Sequence, residues 1–227
     1  MERSRLLSEI SEWLTGIRCS HPLRVAIDGI DTAGKTILAD DLATEIGKGT
    51  THLPLRASVD SFHNPRAIRY QRGVDSPEGY YVDSFDYGAM IERLLKPLGP
   101  GGDRRVETAV FDLQKDAPLY KTPQAIPDNT ILLCDGIFLH RPTLRPYWDI
   151  TLYLEIHFEV ALERALVRDT ALLGSADAVR MRYLQRYIPG QQIYLAQCRP
   201  QQFANMVIDH NDPANPTIVS WRAQQEC

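Results

Sequence analysis

Eight residues constrain this chain more than any other stretch: Gly29-Ile30-Asp31-Thr32-Ala33-Gly34-Lys35-Thr36. They match G-x-x-x-x-G-K-[ST] at every defined position. The apolar run Val25-Ala26-Ile27 precedes them, and a helical pattern from Lys35 to Ile46 follows. Glycines at 29 and 34 let the backbone turn so that successive N–H groups point inward around an anion. The helix adds the positive end of its dipole at the same place. In such a loop Lys35 reaches the β- and γ-phosphates of a nucleotide, and the Thr36 hydroxyl can ligate Mg²⁺. The whole segment, Gly29, Ile30, Asp31, Thr32, Ala33, Gly34, Lys35 and Thr36, is therefore read as an ATP-phosphate site.

The rest of the chain must supply the sheet on which that loop sits. Its 227 residues, 44% of them hydrophobic, suffice for one well-buried core. A leading helix is marked by Leu6, Leu7, Ile10, Trp13 and Leu14 within residues 1–21, and Pro22 closes it. Strands are expected at Leu23–Ile27, Pro54–Val59, Ile131–Cys134, Ile150–Ile156 and Met206–Ile208. Helices are expected at Lys35–Ile46 (closed by Gly47 and Gly49), Tyr87–Leu95, Phe158–Leu173 and Ala178–Tyr187. Ile188-Pro189-Gly190 should break the last of these. Residues 61–86 read as a long polar loop, and Arg105–Phe111 as a strand or half a hairpin. Strands alternating with helices give one α/β domain with a largely parallel sheet covered on both faces.

Composition excludes several classes of function. The formal net charge of −4 offers no nucleic-acid footprint. No apolar run is long enough to span a bilayer, and the N-terminus lacks the apolar segment of a signal peptide. The four cysteines (Cys19, Cys134, Cys198, Cys227) are far apart, so reduced thiols in a cytoplasmic protein are expected rather than a disulfide framework or a zinc site.

Three further elements carry chemistry. Asp60 ends the second strand and should emerge at the sheet edge that holds the phosphate loop, where it could take a proton from a substrate hydroxyl; a turn or helix N-cap is the plainer role. Asp135, after Ile131-Leu132-Leu133-Cys134, is the candidate second metal residue, or a simple strand-end turn. Arg164 and Arg168 lie four apart on one helix face, either closing over a nucleotide or facing solvent. His63 could touch substrate or be a polar loop residue, and Arg66, Arg69 and Arg72 could meet an acidic substrate or be solvated.

Taken in order, these pieces resemble the uridine kinase and phosphoribulokinase group of P-loop kinases. The resemblance runs from about Leu23 onward through Val59-Asp60-Ser61-Phe62, Asp83-Ser84-Phe85-Asp86, Val110-Phe111-Asp112-Leu113, Cys134-Asp135-Gly136-Ile137, the Arg164/Arg168 segment and Tyr187-Ile188-Pro189-Gly190. It implies a P-loop NTPase, nucleoside-kinase-like three-layer fold in a single domain. Residues 61–120 would form a substrate-binding insertion with a small β-hairpin, and residues 160–190 a lid. It further implies an ATP- and Mg²⁺-dependent kinase of a primary hydroxyl, most readily a nucleoside's. Asp60 would be the base, aided by Lys35, Arg164 and Arg168; Thr36 and Asp135 would hold Mg²⁺. Substrate would lie against Asp60, Phe62, His63, Tyr81, Asp83, Phe111 and Asp112, the segment around Tyr80, Tyr81 and Asp83 holding the sugar hydroxyls. The partner expected is a small hydroxyl compound, with no nucleic acid or membrane and with self-association left open.

The departures cluster in the base-recognition stretch. Phe111 lacks the phenol of the family's Tyr-Asp pair, Asp116 stands where a histidine is usual, and Leu172-Leu173-Gly174-Ser175 lacks a further lid arginine. A related kinase of another hydroxyl compound and a thymidylate kinase-like enzyme therefore stay open. So does a nucleotide-binding regulator, although no Asn-Lys-x-Asp occurs to read guanine.

Overall fold

The computed structural model describes residues 1–48, 50–223 and 225–227. β1 (Leu23–Gly29) is buried along its whole length and stands at the centre of the main sheet. Next come β2 (Leu53–Ser58) and four two-residue strands, β3 (Arg105–Val106), β4 (Phe111–Asp112), β5 (Ala117–Pro118) and β6 (Gln124–Ala125). β7 (Thr130–Gly136), β8 (Ile150–Glu155), β9 (Met206–Asp209) and β10 (Thr217–Trp221) complete the set. The main sheet has six strands in the order β10-β9-β8-β1-β7-β2, parallel throughout except for β10 against β9.

Because side chains alternate across a strand, β1 and β7 feed two separate cores. Val25, Ile27, Ile131 and Leu133 face one side, where α1 (Arg3–Gly16) contributes Leu6, Ile10 and Leu14, and α2 (Lys35–Ile46) contributes Leu38, Leu42 and Ile46. Ala26, Leu132 and Cys134 face the other, against Phe62, Leu94, Leu98, Phe138 and Tyr194. The result is the expected three-layer α/β fold.

The helical elements depart from the sequence reading in two places. Residues 61–86 are not an open loop: they contain α3 (Arg66–Arg69) and α4 (Pro77–Asp83). Ser76 caps α4, accepting from Gly79 N at 3.0 Å, and Pro77 occupies the first turn. That Ser-Pro-Glu start is a sequence signal for a helix. Nor does Pro189 break its helix. α5 (Tyr87–Met90) passes through a π-turn at Ile91–Leu95 into α6 (Lys96–Leu98). After α7 (Phe158–Leu173), α8 (Ala176–Arg182) likewise runs through a π-turn at Tyr183–Tyr187 into α9 (Ile188–Cys198), ahead of the short α10 (Pro200–Phe203). Lys96 N bonds back to Ile91 O and Ile188 N to Tyr183 O, each five residues, immediately before Pro97 and Pro189. The widened turn absorbs a residue that has no N–H to donate and whose ring would strike the carbonyl four residues back.

Arg105–Phe111 is not one strand; β3 pairs with β6, and β4 pairs with β5 as a separate small hairpin. β10 was not anticipated. Gly49, expected to help close α2, lies outside the described residues, while Gly47 does stand at the helix end. Contrary to the expectation of unpaired thiols, Cys19 and Cys227 are joined in a disulfide with Cα atoms 5.2 Å apart. A parallel bridge between Arg18 and Glu226 brings them together across 208 residues, a separation that hides the pair in the sequence. Cys134 and Cys198 are free and buried. Among the described residues no helix is long and apolar enough to cross a membrane.

Candidate active site

The loop from Gly29 to Thr36 leaves the carboxyl end of β1 and enters α2. Gly29 has φ 156°, and a Cβ there would come within 2.6 Å of the Leu154 carbonyl oxygen. Gly34 has φ 94°, and its Cβ would meet the His210 ring at 2.8 Å. Thr32, a β-branched residue, is held at φ 59° while its hydroxyl donates to Ala161 O at 2.8 Å. A threonine in that region stores strain, which the surrounding contacts must offset. Lys35 is buried, and its Nζ donates to Ile30 O at 2.7 Å. Burial pulls its pKa down, opposed by the carboxylates of Asp31, Asp28, Asp60 and Asp135.

Asp135 lies in register between Ile27 of β1 and Ser58 of β2. Its Oδ2 accepts from the Thr36 hydroxyl at 2.6 Å, so the two residues expected to hold Mg²⁺ are brought together. A hydroxyl and a carboxylate are hard oxygen donors of the kind that ion takes. Sequence reasoning missed Arg56, whose Nη2 donates to Asp135 Oδ1 at 2.8 Å and whose Nε donates to Asp40 at 2.8 Å. Asp28, also missed, is fully buried beneath the loop. Its carboxylate accepts from Gly29 N (2.7 Å), from His140 N (3.1 Å) and Nδ1 (2.7 Å), and from the Tyr194 hydroxyl.

Asp60 sits in the 3₁₀ turn Val59–Phe62 directly after β2. It lines a cleft of about 540 Å³ together with Lys35, Thr36, His63, Asp135 and Arg168. Its carboxylate accepts no hydrogen bond from the described residues. His63 Nδ1 lies 2.8 Å from the Asp60 carbonyl oxygen, and its ring packs on Phe85 at 4.5 Å; burial lowers its pKa. Arg164 and Arg168 flank a neighbouring hollow beside Gly34 and Thr36. Arg164 reaches across to Thr32 O (3.2 Å) and His210 O (2.9 Å), while Arg168 pairs with Asp169 at 2.6 Å.

Several expected substrate contacts lie elsewhere. Phe62 is wholly within the core. Tyr81 turns away, its hydroxyl 3.3 Å from Cys198 Sγ and its ring 3.9 Å beneath the Arg141 guanidinium. Asp83 is buried and accepts from Arg72 Nε at 2.9 Å. Asp112 closes its own turn, accepting from the N–H groups of Gln114 and Lys115 at 3.0 Å. Phe111 lines a second, smaller cavity with His63, Asp86 and Arg93 rather than the main cleft. Successive residues of a helix diverge by about 100°, so when Tyr81 faces the core it is Tyr80 that reaches the cleft. Phe85 and Leu113 line the cleft as well. The basic stretch is largely spent: Arg69 donates to Asn64 O and Asp116, and Arg72 pairs with Asp83.

The match to known proteins agrees with this geometry. The family model described as Phosphoribulokinase / Uridine kinase family matches residues 25–211. The chain belongs to that family. Family membership makes it a kinase, a phosphotransferase to small molecules, and the P-loop fold carries the ATP and Mg²⁺ use general to the family. A curated uridine kinase from Tolumonas auensis is 23% identical over 192 residues, covering 81% of this chain and 85% of that protein. Among solved structures, one described as a possible uridine kinase from Bacillus stearothermophilus superposes with TM-score 0.72 at 20% identity, covering 91% of this chain and 99% of the other. A D-glycerate 3-kinase from Cryptococcus neoformans shares the fold with TM-score 0.64 at 11% identity, covering 94% and 99% of the two chains.

This member of the family holds a histidine directly against its phosphate loop. His210 Nδ1 lies 2.6 Å from Ala33 O and Nε2 lies 3.3 Å from Arg3 Nη1, so the neutral ring with hydrogen on Nδ1 satisfies both neighbours. Burial lowers its pKa, as it does for His63. A histidine with a lowered folded pKa binds fewer protons when folded than when unfolded, so stability rises with pH through the ordinary histidine range. Urea unfolding is therefore expected to show stability falling as pH drops from about 7.5 to about 5.5. His210→Gln should make that decline shallower; an equally steep decline would exclude His210 as its source.

Proposed function

We propose that the chain transfers the γ-phosphoryl group of ATP to a primary hydroxyl of a small metabolite, a nucleoside such as uridine in the first place. The observation that carries this reading is the Asp60 carboxylate, which no described residue hydrogen-bonds or pairs with, on the same cleft as Lys35, Thr36 and Asp135. Asp60 accepts the hydroxyl proton; the hydroxyl oxygen forms its bond to the γ-phosphorus as the bond to the β–γ bridging oxygen breaks and ADP leaves. Lys35 and the arginines at 164 and 168 stabilise charge on the transferring group, Arg168 by releasing Asp169. Mg²⁺, held by Thr36 and Asp135, would neutralise charge on the β- and γ-phosphates.

A non-nucleoside hydroxyl acceptor is the second reading. Phe111 has no hydroxyl to give, and Asp116 is engaged with Arg66 N at 2.9 Å and Arg69 at 3.0 Å, so little is left to read a pyrimidine edge. An ATP-coupled assay across nucleosides, sugars, vitamins and hydroxy acids, with products identified by mass, separates the two. Turnover of uridine or cytidine supports the first reading. Both nucleosides inert while another hydroxyl compound is phosphorylated would leave the kinase and remove the nucleoside.

A further inference from the structure

The phosphate loop carries a carboxylate at Asp31 that the donor chemistry leaves unexplained. A loop whose amides gather phosphate is a poor place for negative charge, because it repels the ligand the loop holds. Yet Asp31 lies on the main cleft with Asp60 and Tyr80. Two elements clamp it there. The Tyr80 hydroxyl, from α4, donates to Oδ2 at 2.7 Å, and Gln191 Nε2, from α9, donates to the same oxygen at 3.1 Å. Gln191 Oε1 also accepts the Asp31 backbone N–H at 2.7 Å, and Gln191 is itself buried. Both donors converge on one carboxylate oxygen, and Oδ1 accepts no hydrogen bond from the described residues. Burial raises the Asp31 pKa, and Lys35 opposes that rise most strongly. A half-desolvated carboxylate with one oxygen spoken for and one open needs a donor, and the cleft is where one can arrive.

We infer that Asp31 is a specificity-determining residue on the acceptor side. Its Oδ1 accepts a hydrogen bond from a second hydroxyl of the acceptor, beside the one that Asp60 activates. The substrate class is accordingly a polyhydroxylated, uncharged compound (a ribonucleoside or a sugar) in preference to one with a single hydroxyl. This rests on the kinase reading above but not on the acceptor's being a nucleoside. An acceptor lacking the second hydroxyl leaves Oδ1 desolvated and unpaired, the situation in which a polar site discriminates most strongly. The competing explanation is that Asp31 serves only as counter-charge to Lys35, which Asp28, Asp60 and Asp135 also surround.

The test compares kcat/KM for a hydroxylated acceptor and its monodeoxy analogues, uridine against 2′- and 3′-deoxyuridine first, in wild type, Asp31→Ala and Asp31→Asn. Wild type should prefer the parent over one of the analogues by about tenfold or more. Asp31→Ala should bring that ratio close to one and raise the acceptor KM by a larger factor than the KM for ATP. Should the alanine variant not fold, Asp31→Asn carries the same comparison: its neutral amide keeps the side chain's volume and should lower the ratio severalfold. A folded variant with an unchanged ratio, or one in which only the KM for ATP moves, overturns the assignment in favour of a counter-charge. Uridine inert beside another active hydroxyl compound overturns only the nucleoside reading, and the comparison is then made on that compound and its deoxy analogue. No acceptor turned over from the whole panel overturns both.

Discussion

Replacing Asp60 with asparagine is expected to lower kcat by about 10²–10⁴-fold while leaving nucleotide affinity in place. The substitution keeps the volume and removes only the ability to take a proton. Asp60 is exposed on the cleft, and its carboxylate has no partner to lose among the described residues, so the fold should tolerate the change. Its role as a base and its role as a plain turn residue make opposite predictions here. Steady-state turnover with the active acceptor, alongside calorimetric titration with ADP, reads both quantities. Turnover within twofold of wild type would return Asp60 to its position as the residue after a strand.

Lys35→Ala should have the second large effect, a loss of about 10²–10³-fold in kcat, the magnitude seen when one preorganised electrostatic donor is removed. Here the change reaches the fold as well. The ammonium is buried against Ile30 O, amid the carboxylates of Asp28, Asp31, Asp60 and Asp135. Removing it leaves a buried carbonyl without its donor, worth about 1–3 kcal/mol, and the carboxylates without their shared cation. Urea denaturation should show the variant less stable than wild type at neutral pH, and single-turnover kinetics should show the chemical step slowed. Arg in place of Lys should not restore activity, because the planar guanidinium is longer and wider than the site that Ile30 O closes. A fully active, equally stable alanine variant would contradict the account of this loop.

How much of this could be read in the sequence follows from the range over which each feature is determined. The phosphate loop, β1 and α2 are local: glycine spacing, an apolar run and a 3.6-residue period lie within about 25 consecutive positions. Thr36 meeting Asp135 was legible because the phosphate loop leaves the end of β1 and Asp135 stands at the end of β7, and the carboxyl ends of neighbouring parallel strands converge at one edge. The acceptor side was not, because it depends on which face of a short helix is buried. Tyr80 and Tyr81 are adjacent and chemically alike, and only packing against Cys198 and Arg141 decides that the second is the core residue. Asp83 failed for the same reason: whether a carboxylate faces a ligand or an arginine is settled by Arg72, eleven residues away. Gln191 and Asp28 carry no motif. The proline at 189 reads as a helix stop because the π-turn that admits it leaves no simple mark in composition.

In the proposed reaction the γ-phosphoryl of ATP moves intact to an acceptor hydroxyl. That transfer is tested most directly by incubating the protein with Mg²⁺, uridine and ATP bearing ¹⁸O in its terminal phosphoryl group, then weighing the products. Labelled phosphate covalently attached to the nucleoside at its primary hydroxyl is expected, formed about 10²–10⁴-fold more slowly by Asp60→Asn. Label recovered only as inorganic phosphate, with uridine and every other hydroxyl acceptor unchanged, would contradict it.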